Sequence, residues 1–241
     1  MSAGVPGTPA AGRVPGAALL DLVAIMDRLR RECPWDARQT HESLAPHLIE
    51  ETYEALDAIE RRDLAEFRGE LGDVLLQVLF HARVASERSD GTGFDVDDVA
   101  RGIADKLVRR HPHVFADVSV SGADEVLKNW DTIKAAERTA AGRGSSSALD
   151  GVPMSQPALS LAAQLQRRAQ FAGAPASLID LSGTQADDGE TEPRQVSPIG
   201  AELFALVARA RAAGVDPEME LRAAARAFDD RFRDWERSAA G

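Results

Sequence analysis

The sequence predicts an all-α protein, and three observations carry that expectation. Ala, Leu, Arg and Glu abound while aromatic residues make up only 5%, a composition that suits helices better than sheets. Apolar residues recur with a helical period from Ala17 onward, and no alternating strand pattern competes with it. Two acidic patches, Glu50-Glu51-Thr52-Tyr53-Glu54 and Glu70-Leu71-Gly72-Asp73, sit on two such segments. The stretch between them, Arg61-Arg62-Asp63-Leu64-Ala65, is short enough to make the pair an antiparallel hairpin.

The elements follow in order. A first helix runs from Ala17 to about Glu32 on the apolar set Leu19, Leu20, Leu22, Val23, Ile25, Met26 and Leu29, and the Cys33-Pro34-Trp35-Asp36 turn stops it. Thr40 is the expected N-cap of the second helix, and Pro46 lies near its first turns, where a missing N–H costs least. That helix offers Leu44, Leu48, Ala55 and Ile59 as its core face. The third, from about Glu66 to Glu87, carries one stripe of Phe67, Leu71, Val74, Val78 and Ala85, with Leu76, Leu79 and Phe80 opposite. Such a helix is expected to be buried nearly all round. Glu70, Asp73, Gln77 and His81 form a narrow polar row between those flanks.

After a turn at Asp90-Gly91-Thr92-Gly93, an amphipathic helix is expected over Asp95 to Arg110, ended by His111-Pro112, and another from Ala123 to about Ala140. Further helices are expected from about Leu159 to Phe171, Ala201 to Ala212 and Pro217 to Arg237. This gives a disordered leader over 1–16, a first domain over 17–140, a linker over 141–157, and a reduced helical half over 158–241. Within that half, the Ser-, Asp-, Gly- and Pro-rich stretch 173–198 is expected to be disordered.

Composition narrows the function. The 241 residues carry a net charge of −11, which argues against broad nucleic-acid binding but not against a phosphorylated substrate held through metal. The single cysteine, Cys33, excludes an intramolecular disulfide framework and fits a reducing cytoplasm. No apolar run is long enough to span a bilayer, and the leader lacks the hydrophobic region of a signal peptide.

The acidic patches carry the chemistry. Glu51 and Glu54 lie roughly 60° apart on a helical wheel, as do Glu70 and Asp73. Exposed glutamates are common, and a lone pair would be read as a solvated surface. Four carboxylates facing one another, flanked by apolar surface, instead call for a cation between them. A hard divalent ion suits such an all-oxygen site, and Mg²⁺ binds through a few carboxylates plus substrate phosphates. Glu50 points further outward than the other four.

These residues, read with their neighbours, strongly resemble the MazG family of nucleoside triphosphate pyrophosphohydrolases. The matching motifs are Cys-Pro-Trp-Asp (33–36), Gln39-Thr40-His41, Glu-Glu-Thr-Tyr-Glu (50–54), Glu-Leu-Gly-Asp (70–73), Phe80-His81-Ala82-Arg83, the run Lys106 to Phe115, and Lys128-Asn129-Trp130. The resemblance implies a four-helix-type core that forms a homodimer, uses Mg²⁺ (Mn²⁺ as the alternative ion) and cleaves nucleoside triphosphates to monophosphate and pyrophosphate. It implies Glu51, Glu54, Glu70 and Asp73 as metal ligands, Lys106 and Arg109 as triphosphate contacts, and Trp130 beside the nucleotide. Neither nucleic acid nor membrane is implied as a partner.

Relatives often repeat the domain, and here the repeat has decayed. Pro198-Ile199-Gly200-Ala201 stands where the second copy's Glu-Leu-Gly-Asp would be.

A carboxylate such as Glu50 or Glu54 can orient the attacking water as general base. Lys106 and Arg109 sit about 60° apart on their helix and can both reach a phosphate tail, although cations are also expected at any helix C-terminus. Trp130 suits base stacking and core packing equally. Three competing readings stay open at this point. One is a di-iron bundle, which normally needs Glu-x-x-His on two helices. Another is an enzyme of the same fold that cleaves a different phosphoanhydride. The third is a non-catalytic nucleotide- or partner-binding module.

Overall fold

The computed structural model describes residues 14–122, 125, 126, 129, 130, 132, 133, 136, 137, 147–181 and 196–239, and every regular element among them is helical. The chain divides into two compact units, Met1–Val118 and Ser119–Gly241.

The first unit comprises α1 (Ala17–Glu32), a 3₁₀ turn (Asp36–Arg38), α2 (His41–Arg61), α3 (Leu64–Ala85), α4 (Val96–Arg110) and the one-turn α5 (Pro112–Phe115). Thr40 caps α2 as expected: its side chain accepts from the Ser43 amide at 3.2 Å, while Ser43 Oγ accepts from the Thr40 amide at 2.9 Å. This reciprocal pair satisfies two otherwise orphaned donors. Pro46 lies inside α2, beyond the first four amides, so the bond that the Glu42 carbonyl would accept is forgone.

The α2–α3 connection is only two residues long. Arg62 takes a left-handed conformation with φ 57°, and Asp63 then caps α3 by accepting from the amides of Ala65 and Glu66 at 3.0 Å each. Arg61 pairs with Asp57 within α2 and with Glu66 across the turn. The tightness of this connection makes the two helices an antiparallel pair.

Met26 of α1, Leu44 of α2, and Leu79 and Phe80 of α3 form the core, with Leu22, Val23, Leu75, Leu76, Val84 and Val96 packed around it. Trp35 meets the Phe80 ring edge-on at 6.3 Å. Arg30 fastens the turn after α1. It donates to the carbonyls of Asp36 and Gln39 and pairs with Glu87, just past the end of α3, at 2.8 Å.

Two expectations need correction. α3 is not buried all round: Leu79, Phe80, Ala82 and Ala85 are buried, but Leu71 is 49% and Val78 39% exposed. On α2, Leu44 and Ala55 are buried while Leu48 and Ile59 are not. The physical reason is thickness. α1, the α2–α3 contact and the start of α4 cover part of each helix, and among the described residues the faces bearing Leu71 and Val78, and Leu48 and Ile59, stay open.

The second unit contains α6 (Ala158–Phe171), the one-turn α7 (Ala176–Ile179), α8 (Pro198–Ala212) and α9 (Pro217–Ala239). α6 packs on α8 and α9 around buried Gln166 and Val207. Gln166 Nε2 donates to the Phe204 carbonyl at 2.8 Å.

The stretch 173–198 is not wholly irregular. α7 lies within it, and α8 begins at Pro198, where Ser197 caps the helix by accepting from the Gly200 amide at 3.0 Å. Pro at the first helical position after a Ser cap is a start signal that outweighs the polar composition around it. Within 141–157, Val152 is 8% exposed, and Arg168 donates to the Asp150 carbonyl at 2.8 Å. The leader up to residue 13, residues 138–146, most of the helix expected over 123–140, and 182–195 lie outside the described residues.

Leu44→Ala is expected to cost about 2–5 kcal/mol, because it opens a cavity among Met26, Leu79 and Phe80. Asp63→Ala removes the α3 cap and is expected to cost about 1 kcal/mol. Urea unfolding followed by circular dichroism measures both. A smaller loss for Leu44→Ala than for Asp63→Ala would contradict this placement of the core.

Candidate metal centre

Counting outward from the Arg62–Asp63 turn, the antiparallel pairing sets the middle of α2 against the first half of α3. Carboxylate oxygens of Glu51, Glu70 and Asp73 lie within 4.8 Å of one another. Glu51 and Glu70 are half-buried and Asp73 is exposed. Glu54, one turn along α2 from Glu51, is exposed but stands close enough to Glu70 for its charge to raise the Glu70 carboxyl. The hairpin therefore gathers Glu51, Glu54, Glu70 and Asp73. Glu50 faces away, toward His47 at 3.6 Å.

Gathering them is electrostatically unfavourable. Burial pushes the Glu51 carboxyl above its ordinary range, and the charges of Asp73, Glu54, Glu50 and Glu70 push it further. Glu70 is raised likewise, first by desolvation, then by Glu54, Asp73 and Glu66. Like charges and desolvation both disfavour the ionised form.

The donor set fits a hard divalent cation. Ligand oxygens at about 2.1 Å from a small ion stand at most about 4.2 Å apart. A spread of 4.8 Å closes with slight side-chain rotation. All the donors are carboxylate oxygens, with no His or Cys among them, which suits magnesium or manganese better than softer metals.

The other expected residues are placed differently. Lys106 and Arg109 stand on α4, half-buried and exposed respectively. α4 meets the core at Val96, and Lys106 is about 15 Å further along the helix. Lys106 makes no hydrogen bond or ion pair among the described residues. Trp130 belongs to the second unit, where it is half-buried.

The polar row continues beyond Asp73 in a way that sequence alone left incomplete. Gln77 is only 5% exposed, and its Oε1 is buried with no hydrogen-bond partner among the described residues, as is Nε2 of His81. His41 and His81 stack with ring centroids 5.1 Å apart, and their Nδ1 atoms meet at 2.8 Å. One ring therefore donates and the other accepts. The signal was the hairpin register: His41 opens α2 and His81 lies near the end of α3, so antiparallel pairing brings them together. Burial and the His41 charge hold His81 below the ordinary imidazole range.

Comparison with known proteins bears on this geometry. Residues 39–115 match the model of the MazG nucleotide pyrophosphohydrolase domain, a span that includes both acidic helices and α4. The chain is 43% identical to the nucleoside triphosphate pyrophosphohydrolase of Escherichia coli strain K12, over 91% of this chain and 87% of that protein. It is 40% identical to the Thermotoga maritima protein named nucleoside triphosphate pyrophosphohydrolase/pyrophosphatase MazG, over 90% and 84%. An uncharacterised 26.1 kDa protein of Streptomyces cacaoi is 45% identical over 93% and 85%.

The raised carboxyls give a stability prediction with a definite sign. A folded-state pKa above the unfolded value adds stability below the carboxylate range and loses it as pH rises through the folded pKa. Without metal, Glu51→Gln and Glu70→Gln are therefore expected to raise the thermal midpoint at about pH 7, with the gain vanishing in acid. A divalent metal should stabilise wild type, by about 2.7 kcal/mol at a hundredfold excess over Kd, and should do little for either variant. If both metal-free variants melt lower than wild type, the cluster is a structural network and not a strained ligand set.

Proposed function

The chain belongs to the MazG family, and from that premise we propose that it is a Mg²⁺-dependent nucleoside triphosphate pyrophosphohydrolase that clears unwanted nucleotides from the cytoplasmic pool. The observation that carries this reading is the convergence of Glu51, Glu70 and Asp73, with Glu54 against Glu70, on one hairpin. A (deoxy)nucleoside triphosphate brings the phosphate oxygens that would complete a magnesium shell.

Glu51, Glu54, Glu70 and Asp73 would hold the ion. Bound there, it supplies positive charge that offsets the carboxylates and the triphosphate. The remaining chemistry falls to side chains. Water attacks the phosphorus next to the nucleoside, the bond to the pyrophosphate oxygen breaks, and the proton of the water passes to a carboxylate. Of the two candidates for that base, Glu54 is favoured by its contact with Glu70, whereas Glu50 is turned to His47. Charge builds on the phosphoryl oxygens as the leaving group departs, so fixed cations matter most there. Lys106 and Arg109 are assigned that role, and Trp130 the stacking of the base. Lys106 has no carboxylate partner among the described residues, which leaves its charge available to an anion.

The proposed active form is a homodimer. Its support within the first unit is the apolar surface of Leu71 and Val78 on α3 and of Leu48 and Ile59 on α2, all exposed in the single chain. No helix among the described residues is long and apolar enough to cross a membrane.

Pyrophosphate release from a mixed pool of nucleoside triphosphates, with and without Mg²⁺, tests the activity. Glu54→Gln and Asp73→Asn are expected to abolish turnover while leaving the helical circular dichroism intact; near-normal activity of both would sink the assignment. Lys106→Ala should lower kcat/KM by roughly ten- to a hundredfold, the loss of one charge-assisted contact. Its Mg²⁺ affinity without nucleotide should barely change. Wild-type kinetics in that variant would place the triphosphate elsewhere.

A further inference from the structure

The second unit lacks the acidic motif, yet one of its charged side chains is left in a situation that its counterpart in the first unit avoids. Setting Gly200 on Gly72 also sets Ala201 on Asp73, Val207 on Leu79, Arg211 on Arg83 and Val215 on Glu87. Leu79 and Val207 are both buried, which fits that register. Arg83 has two carboxylate partners: its Nε meets Asp27 of α1 at 3.0 Å and its Nη1 meets Glu87 at 3.0 Å.

Among the described residues, neither carboxylate has an equivalent paired with Arg211. On α6, the role of Asp27 is taken by Gln166 and Gln170, whose Oε1 atoms accept from the Arg211 guanidinium at 3.3 and 3.1 Å. Val215 stands in place of Glu87. Arg211 makes no ion pair among the described residues, although it is half-buried. A partly desolvated cation with only neutral partners is unfavourable unless an anion joins it. Burial, and after it the charge of nearby Arg167, disfavour the cationic form of Arg211.

Arg211 opens into a cavity of about 530 Å³ between α6, α7 and α8. That volume lies within the usual range of small-molecule pockets. Ala174, Ala176, Ala205 and Ala208 line it with short side chains, and Gln170 and Asp180 are its other polar groups. The alanines leave the guanidinium accessible. The planar fork suits a phosphate or carboxylate.

We propose that this cavity is a second binding site, separate from the acidic hairpin, which takes a small molecule bearing a phosphate or carboxylate group, anchored by Arg211 and Gln170. The decayed half of the chain then keeps a ligand-binding role after losing its metal ligands.

Isothermal titration of the full-length chain in excess chelator, with inorganic phosphate, adenosine monophosphate and citrate as probes, tests this. Saturable binding of at least one probe is expected, and the comparison between phosphate-bearing probes and citrate distinguishes the two anion classes. Gln170→Glu keeps the side-chain shape and places a carboxylate on the guanidinium, so it should weaken binding by at least about tenfold without loss of helicity. Arg211→Gln should weaken it as much, while Asp73→Asn should bind like wild type. Absence of saturable binding up to about 20 mM, weaker than ordinary metabolite affinities, overturns the proposal. So does unchanged binding in Gln170→Glu. Binding lost in Asp73→Asn would assign the ligand to the hairpin and overturn it as well, whatever the outcome of the pyrophosphate assay.

Discussion

Mutual repulsion among carboxylates held on one hairpin is the constraint on which the first unit depends. Glu51 and Glu70 are both pushed toward their neutral forms by burial and by their neighbours. A folded chain tolerates such a cluster only if packing elsewhere holds the helices together. Packing on the far side of the acids meets that need. Leu44, Leu79 and Phe80 close on Met26 beyond the cluster, while the capped Arg62–Asp63 turn fixes the other end. Restrained at both ends, α2 and α3 cannot splay to relieve the repulsion, so a divalent cation is its natural compensation.

The same economy explains the polar groups beside the core. Arg30 has a side chain only 9% exposed, yet it is paired with Glu87 and bonded to two carbonyls of the turn after α1. Removing either partner would leave a buried charge uncompensated. Gln77 and His81 are less complete, with one buried atom each lacking a partner among the described residues. They extend the polar face of α3 from the carboxylates toward the His41–His81 contact, so a polar seam continues into the bundle beyond the ligands.

Much of this was legible in the sequence because the governing signals are local. Thr40, the Arg62–Asp63 turn, and the i,i+3 spacing of Glu51 with Glu54 and of Glu70 with Asp73 each act within a turn or two of helix. The convergence of the acids then followed from the short connection between the helices. What sequence left out depends on layering. The apolar pattern of α3 is two-sided, and periodicity cannot tell a helix covered on both sides from one covered in part; Leu71 and Val78 are exposed for that reason. The start of α8 at Pro198 was hidden by polar surroundings, although Ser197 and Pro198 form a good initiation signal. The neutral surroundings of Arg211 required coordinates, because Gln166 and Gln170 meet it from more than forty residues away in sequence.

The acidic hairpin is proposed to hold the ion of a triphosphate-cleaving site. The most direct test is a crystal of the full chain grown with Mn²⁺ and a non-hydrolysable nucleoside triphosphate, measured for anomalous scattering from manganese. The expected result is a peak among the oxygens of Glu51, Glu70 and Asp73, with phosphate density touching it. A well-ordered nucleotide with no manganese at those carboxylates, or manganese bound only elsewhere on the chain, would contradict the claim.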